Sequence, residues 1–455
     1  MKKTLLTAAL VAGFASVAHA ESSVTLYGVV DGGVGYTSVK TNYDVSEYYN
    51  GVYQGSISAT GKDRGFGVKS GVQSGNRWGL KGTEDLGNGT SAIFQLESGF
   101  NLGNGRHLQG DRLFGRKAIL GLTGESWGTV TLGRQYNVGD DFLAPIDPFG
   151  TGFGQAAVTN TAGVSWSGRY DSSVKYLSPN FSGFQVGLAW AGTNNKSDYD
   201  VTVSTPGGWA SESIRTKEND NLFNLGVAYN NGPIQAALVW DHQNQKDRFS
   251  LSQSDSSGFS NSVSGTSKST VDAWNLGFAY DFDVVKLHLG IGQQRDGLIR
   301  DSDGSSGLLG SLAGTDAAAS ATLPNLIGTA GSFLGDFYGE GYKQTHWMVG
   351  LSAPVSEAGK VLFSYQGAHG KNSDSGLNGF GGAYSWNAKS RTNIFSLGYT
   401  HNLSKRTNLY ALASYGTYKV TGNGSVVYSA NDIDSANGRI KTKATQINVG
   451  LRHRF

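Results

Sequence analysis

Along most of this 455-residue chain, apolar and polar residues alternate one by one in runs of about ten, as in strands with one oily and one wet face. In the first run, which reaches about Tyr36, Val24, Leu26, Gly28 and Val30 share one face and Thr25, Tyr27 and Asp31 the other. After a long polar stretch, a second run over 76–85 sets Trp78 and Leu80 against Arg77, Gly79 and Lys81. Residues 86–89 (Leu-Gly-Asn-Gly) join it to a third run, where Ala92, Phe94 and Leu96 oppose Gln95 and Glu97. Asn-Gly between alternating runs is a strong hairpin signal. Runs four and five cover 113–123 and 129–135. Eleven more follow: 169–177, 184–193, the two flanks of 230–233, 271–280, 284–294, the two flanks of 354–359 and of 402–406, and 444–455.

Sixteen strands, an even number, joined alternately by short turns and long loops, predict an all-β fold, a closed antiparallel barrel whose two ends face different environments. Ten residues at about 3.3 Å each, tilted about 45°, span about 23 Å, the height of an outer-membrane apolar band. Aromatic residues gather near strand ends, among them Trp78, Trp190, Trp240, Trp274 and Tyr280, as in interfacial girdles. Beyond the first twenty residues no apolar run approaches the roughly 18 residues of a membrane helix, so a membrane-spanning form of this chain is a barrel.

Residues 136–168 break the rhythm. They carry Asp140, Asp141 and Asp147, no Lys or Arg, and enough apolar surface in Phe142, Leu143, Ile146 and Phe149 to pack on something. A solvated external loop needs no such surface, which predicts a loop tucked inside the barrel.

Composition adds three points. Lys2 and Lys3, an apolar run over 5–17 and the small-x-small end Ala18-His19-Ala20 read as a secretory signal peptide over 1–20, leaving a single barrel domain over 21–455. Without those two lysines the 37 basic residues fall to 35, against 35 acids, so bulk charge gives no support for nucleic-acid binding. There is no Cys, which excludes disulfides and thiolate metal sites, while 67 Gly beside 11% aromatics suit curved, closed sheet. No cofactor is expected.

The opening VTLYGVVDGGVGY, the run NRWGLKGTEDLGNG, GTVTLGRQY ahead of the odd stretch, SVKYLSP and the terminal VGLRHRF together resemble the general porins of Gram-negative bacteria, most of all the trimeric porins of β-proteobacteria. The resemblance runs from Val24 to Phe455. It implies a sixteen-stranded barrel in the outer membrane, three barrels per assembly, passive diffusion of ions and small hydrophilic solutes, and a third long loop folded inward as a constriction. It also implies contact with outer-membrane lipids, lipopolysaccharide included, and with the barrel-assembly machinery through a terminal signal ending in Phe455, although His453 stands where the family's usual aromatic residue would be.

Parity places Arg77 and Lys81, and on the sixth strand Arg169 and Lys175, in the lumen opposite Asp140, Asp141 and Asp147; the resemblance adds Arg116. Opposed walls of charge would set a transverse field across an eyelet, and the surplus of cations leans weakly to anions. Any of the aspartates could instead cap a short helix. Arg134 and Lys117 count as outward, where a bare cation in lipid is costly, and the resemblance predicts a subunit interface that receives them. The scattered histidines show no helix-spaced pair, and neither a nucleophile elbow nor a phosphate loop is present. A substrate-specific sugar or anion channel, and less so a barrel-based hydrolase, are the alternatives. Asp301-Ser302-Asp303-Gly304 resembles part of a calcium loop but lacks the other ligands, and reads as a turn.

Overall fold

A computed structural model describes residues 23–455 apart from 206–207, 259, 308–340, 378–382 and 430–431. The segment 1–20 and most of the long loop 295–341 thus lie outside the described residues. Strands β1 (Ser23–Tyr49) and β2 (Val52–Ser70) form a long hairpin, and β3 (Arg77–Gly87), β4 (Thr90–Gly99), β5 (Lys117–Gly124) and β6 (Gly128–Tyr136) lead to the irregular segment. Beyond it come β7 (Arg169–Leu177), β8 (Phe184–Thr205), β9 (Gly208–Asn231), β10 (Ile234–Asp255), β11 (Ser260–Asp281) and β12 (Lys286–Arg295). The chain closes with β13 (Lys343–Pro354), β14 (Gly359–Leu377), β15 (Ala383–Asn402), β16 (Thr407–Ser429) and β17 (Asp432–Arg454).

Apart from β2 and β3, successive strands pair antiparallel, and β17 returns to β1 from Val29↔Arg454 to Tyr49↔Asp434, closing the sheet. The other edge of β1 is shared, with β3 along Ser23 to Val29 and with β2 along Gly32 to Tyr49. Seventeen strand segments therefore build a sixteen-stave barrel. At the seam the Gly28 and Phe455 backbones exchange two hydrogen bonds of 3.1 Å, and a Cβ on Gly28 would strike the Phe455 ring.

The polar stretch after Tyr36, expected as a loop, is instead the upper half of β1 together with β2. Several other expected loops are likewise strand: β8 continues to Thr205, well past the last apolar alternation near Trp190. The cause is physical. Above the apolar band both faces of a hairpin are wet, so the period-2 signal vanishes while the backbone ladder persists.

Within the band the two faces separate cleanly. On β10 Leu238 and Trp240 are exposed, whereas Ala237 and Val239 are buried. What buries them is the segment 137–168, which holds two short helices, α1 (Val138–Phe142) and α2 (Thr159–Ala162), and two 3-10 turns. Its Val138, Phe142, Leu143, Ile146 and Trp166 form one cluster with Ala228, Ala237, Val239, Ala279 and Met348 of the wall.

Glycines on the same wall face let the segment lie flush. An added Cβ at Gly187 or Gly226 would fall 2.6 Å from Val138, at Gly277 2.8 Å from Ile146, at Gly350 2.6 Å from Pro148, and at Gly398 2.7 Å from Phe149. Real Cβ atoms do not approach so closely, so the apolar side of the segment fits only a wall stripped of side chains.

Candidate functional site: a charged eyelet

The neck of the segment is stapled by Asn137. Its carbonyl oxygen accepts from Asp140 N at 3.1 Å, capping α1, and from Gly168 N at 3.2 Å; its amide donates to Val164 O and Ser165 O at 3.1 and 3.0 Å. Both ends of a 32-residue excursion are thereby held together on one buried side chain.

At this neck the wall supplies cations. Glu97 of β4 accepts from Arg116 Nε at 2.7 Å and from the Tyr27 hydroxyl at 3.0 Å, and lies 3.8 Å from Arg77 Nε. Arg116 also donates to the Tyr136 hydroxyl at 2.9 Å. The Tyr136 ring carries Arg169 at 4.4 Å from its centroid and Arg116 at 5.9 Å, and Arg169 donates to the same hydroxyl. One carboxylate and one phenol thus gather three guanidinium groups, which alone would repel one another. Lys81 stands apart, 5.7 Å over the Tyr27 ring.

The segment supplies acids, each with a different fate. Asp141 pairs with Lys175 at 2.6 Å, and that ammonium also donates to Tyr136 O at 3.0 Å. Burial pushes the Asp141 carboxyl above its usual range, with Lys175 pulling the other way. Asp140 accepts from Ser167 Oγ at 2.5 Å. Asp147 is buried and accepts from the backbone N–H groups of Phe149, Thr151 and Val158 at 3.0, 2.9 and 3.1 Å. Burial outweighs these three donors and pushes its carboxyl up to about 6. Asp147 therefore holds the segment's own fold and does not face the wall cations; the helix cap that was the alternative for each aspartate is supplied by Asn137 instead.

Two other expectations meet a different outcome. Arg134 shares parity with the exposed Leu132, and its pairing with Ala118 keeps the register of β5 and β6, although β6 slips against β7 between Gly133 and Gln135. Its guanidinium is buried, donating to Gly115 O at 2.6 Å, Asp171 at 2.6 Å and Asp303 at 2.7 Å of the same chain. Lys117 opposes Glu97 in register and so shares its inward face, while Leu120 and Leu122 of the same strand are exposed. Arg134 is thus not a bare cation in lipid, and Lys117 does not point outward.

Ahead of residue 308 the long loop also turns back onto the sheet. Ser302 N donates to Arg169 O at 3.0 Å, Val164 N to Ser306 O at 3.0 Å, and Gln243 and Arg300 exchange two hydrogen bonds. Asp301 closes a turn by accepting from Asp303 N and Ser305 N, and among the described residues no cluster could hold a metal ion. Glu97, Tyr136 and Asn137 did not stand out in the sequence. Glu97 carried a usable signal, an acid on the face of the third run that also bears Gln95.

Comparison with known proteins agrees with this architecture. A family described as Gram-negative porin matches residues 6–423. An outer membrane porin protein of Bordetella pertussis is 40% identical over 372 residues, 80% of this chain and 85% of that protein. Outer membrane porin protein 32 of Delftia acidovorans is 30% identical over 372 residues, 80% of this chain and 79% of its own. Among solved structures, an anion-selective porin from Comamonas acidovorans superposes with a TM-score of 0.54 at 24% identity, covering 96% of this chain and all of that one. With a sixteen-stave closed barrel, one apolar face outward and the charged lining inward, the chain belongs to the Gram-negative porin family of the outer membrane.

Proposed function

We propose that the chain is a general diffusion porin: a water-filled channel for passive passage of ions and small hydrophilic solutes, narrowed where residues 137–168 meet the wall. One observation carries the reading. Around the neck, Arg77, Arg116, Lys117, Arg169 and Lys175 outnumber Glu97, Asp140 and Asp141, while Asp147 is withdrawn into the segment. Fixed cations in excess at a narrow place lower the barrier for anions and raise it for cations. The homotrimer implied by the family resemblance belongs to the same proposal.

Planar-bilayer recording on purified protein tests it. Conductance steps grouped in threes, a reversal potential of anion-selective sign in a salt gradient, and current proportional to salt concentration are expected. A saturable block by one solute class would replace the general channel by a substrate-specific one. A reversal potential of the opposite sign would remove the electrostatic reading.

A further inference from the structure

The connection between β2 and β3 is a second inward fold. Gly32 of β1 pairs with Ser70 and Val29 with Arg77, so only Val30 and Asp31 of β1 stand opposite the six residues 71–76. Six residues cannot lie flat against two, and the surplus leaves the sheet. Val72 shows where it goes: it is buried in one cluster with Phe149 and Phe153 of the constriction segment and Tyr410 of β16.

Asp31 holds this bulge with every polar group it has. Its N–H donates to Asn76 Oδ1, and its carbonyl accepts from Gly71 N at 2.9 Å. Its buried carboxylate accepts from Ser74 N at 2.6 Å on one oxygen and from the Tyr410 hydroxyl at 2.7 Å on the other. Asn408 of β16 pins Gln73, donating to its Oε1 at 2.8 Å.

The bulge touches both sides of the eyelet. Toward the arginines, Arg77 Nη1 donates to Gly75 O at 3.4 Å, and Arg116 Nη1 lies 3.2 Å from the place of a Gly75 Cβ. Toward the segment, a Cβ on Gly152 would fall 2.2 Å from Gln73 O, so the two backbones meet with no room for a side chain between them. The segment's tip at this contact is strained. Gly150, Thr151, Phe153 and Gly154 have φ +57°, +55°, +60° and +58°, a region that β-branched and aromatic residues rarely adopt. Backbone of this kind keeps its shape only where its surroundings over-determine it.

We propose that residues 71–76 are a fixed jaw of the eyelet, against which the segment's tip closes, and that Asp31 is the positioning residue that holds the jaw in place. That role presupposes that residues 137–168 narrow the channel. With Asn137 holding the neck and the jaw holding the tip, the gap between the tip and the Arg77–Arg116 side has one width, which sets the largest solute that passes.

Amide hydrogen exchange of the full-length protein in detergent, and bilayer conductance with polyethylene glycols of graded size, test the jaw. In wild-type protein, with no variant needed, the Gly71 and Ser74 amides should exchange as slowly as the β1 ladder, and exchange at the rate of an exposed loop overturns the assignment. In Asp31→Leu, protection of residues 149–154 should fall about tenfold while that of residues 137–141 stays as in wild type, and the largest polymer that enters the pore should grow. Asp31→Asn, which keeps one acceptor oxygen, should lie between the two. Where heat-modifiable gel migration shows that Asp31→Leu does not fold, Val72→Ala, which strips the jaw's contact with Phe149 and Phe153 and leaves the ladder, should give the same pattern in weaker form. Equal loss at neck and tip would make Asp31 a general stabiliser and sink the proposal, as would an unchanged tip. Loss of tip protection with an unchanged size limit would keep the jaw and overturn instead the reading of residues 137–168 as the constriction.

Discussion

Arg134 Nη2 lies 2.7 Å from Asp303 Oδ2, joining the last turn of β6 to a loop 169 residues further along the chain. Asp171 takes the other side of the same guanidinium at 2.6 Å, and Arg112 reaches both acids, at 3.2 and 3.1 Å. Two cations and two anions thus clasp four separate pieces of the rim: the approach to β5, the end of β6, the start of β7 and the loop before residue 308.

Replacing Arg134 by Met removes the buried member and leaves two carboxylates facing each other. Because both acids keep partial contact with water and with Arg112, the loss should be about 2 kcal/mol, well short of a fully buried pair. The midpoint of heat-modifiable unfolding should fall by several degrees, and Asp303→Asn in the same background should recover part of it. An unchanged midpoint in Arg134→Met would show that the clasp contributes nothing.

Asp147 predicts a pH effect opposite in sign to that of an ordinary surface carboxylate. Its folded pKa of about 6 lies above the unfolded value of 3.8, so the folded segment holds the proton more tightly. The preference for the folded segment is greatest below the lower value, declines between the two, and is lost above about 6. The full difference is about 3 kcal/mol. Hydrogen-exchange protection of the Thr151 and Val158 amides, corrected for intrinsic rate, should therefore drop on the order of a hundredfold from about pH 4 to about pH 7. Level protection across that range would reject the assignment.

The Asp141–Lys175 contact makes selectivity adjustable. Asp140→Asn with Asp141→Asn frees the Lys175 ammonium and removes two negative charges from the neck, so the reversal potential should move further toward anions. Lys175→Gln should move it back. If the double Asn variant leaves the reversal potential where it was, these carboxylates do not line the narrow part.

How far these features were legible in the sequence follows from where periodicity holds. Between Phe184 and Trp190, or 271 and 280, one face meets lipid, and alternation marks the strand. Above the band nothing apolar selects a face, and β2 was invisible although its ladder with β1 runs from Gly32 to Tyr49. Parity also says nothing of partners. Gly133 has φ +118° and Ser172 φ +49°, and β6 slips against β7 at that point, where Arg134 meets Asp171 and the distant Asp303. Lys117 failed for a related reason: Arg116 precedes the first ladder pair of β5, so counting faces from it gives the wrong phase. The cations Arg77, Arg116, Arg169 and Lys175 were foreseeable one at a time. Their grouping around Glu97 and Tyr136 was not, because it depends on contacts between residues 19 to 39 positions apart.

The glycine-lined wall can be tested by filling it. A leucine at Gly277 would have to occupy the space of Ile146 Cδ1 and Leu143 Cδ2, which lie 2.8 and 3.0 Å from the ideal Cβ. The wall is a hydrogen-bonded sheet and cannot retreat, so the segment moves toward the lumen. Overpacking of this kind costs about 1–3 kcal/mol. Gly277→Leu should lower single-channel conductance while the barrel stays folded. Conductance equal to wild type would mean that the segment is free of this wall.

Asn137 gives the sharpest test of how the eyelet is held. Its side chain satisfies two N–H groups, of Asp140 and Gly168, and two carbonyls, of Val164 and Ser165, at a neck where Asn137, Val164 and Ser165 are buried. Asn137→Ala leaves all four dependent on rearrangement, at a cost of about 3 kcal/mol once a lost cap and the unmet neck groups are counted. The barrel ladder does not involve this side chain, so the loss falls on the segment alone. Open-channel current noise should rise, and the Asp141–Lys175 pair should hold its geometry less firmly, widening the spread of conductance levels. Asn137→Asp keeps the two accepting bonds but cannot donate to Val164 and Ser165, so it should fall between Ala and wild type. Equal noise in all three would show that the segment stays in place through its apolar contact with the wall and that the neck plays no part.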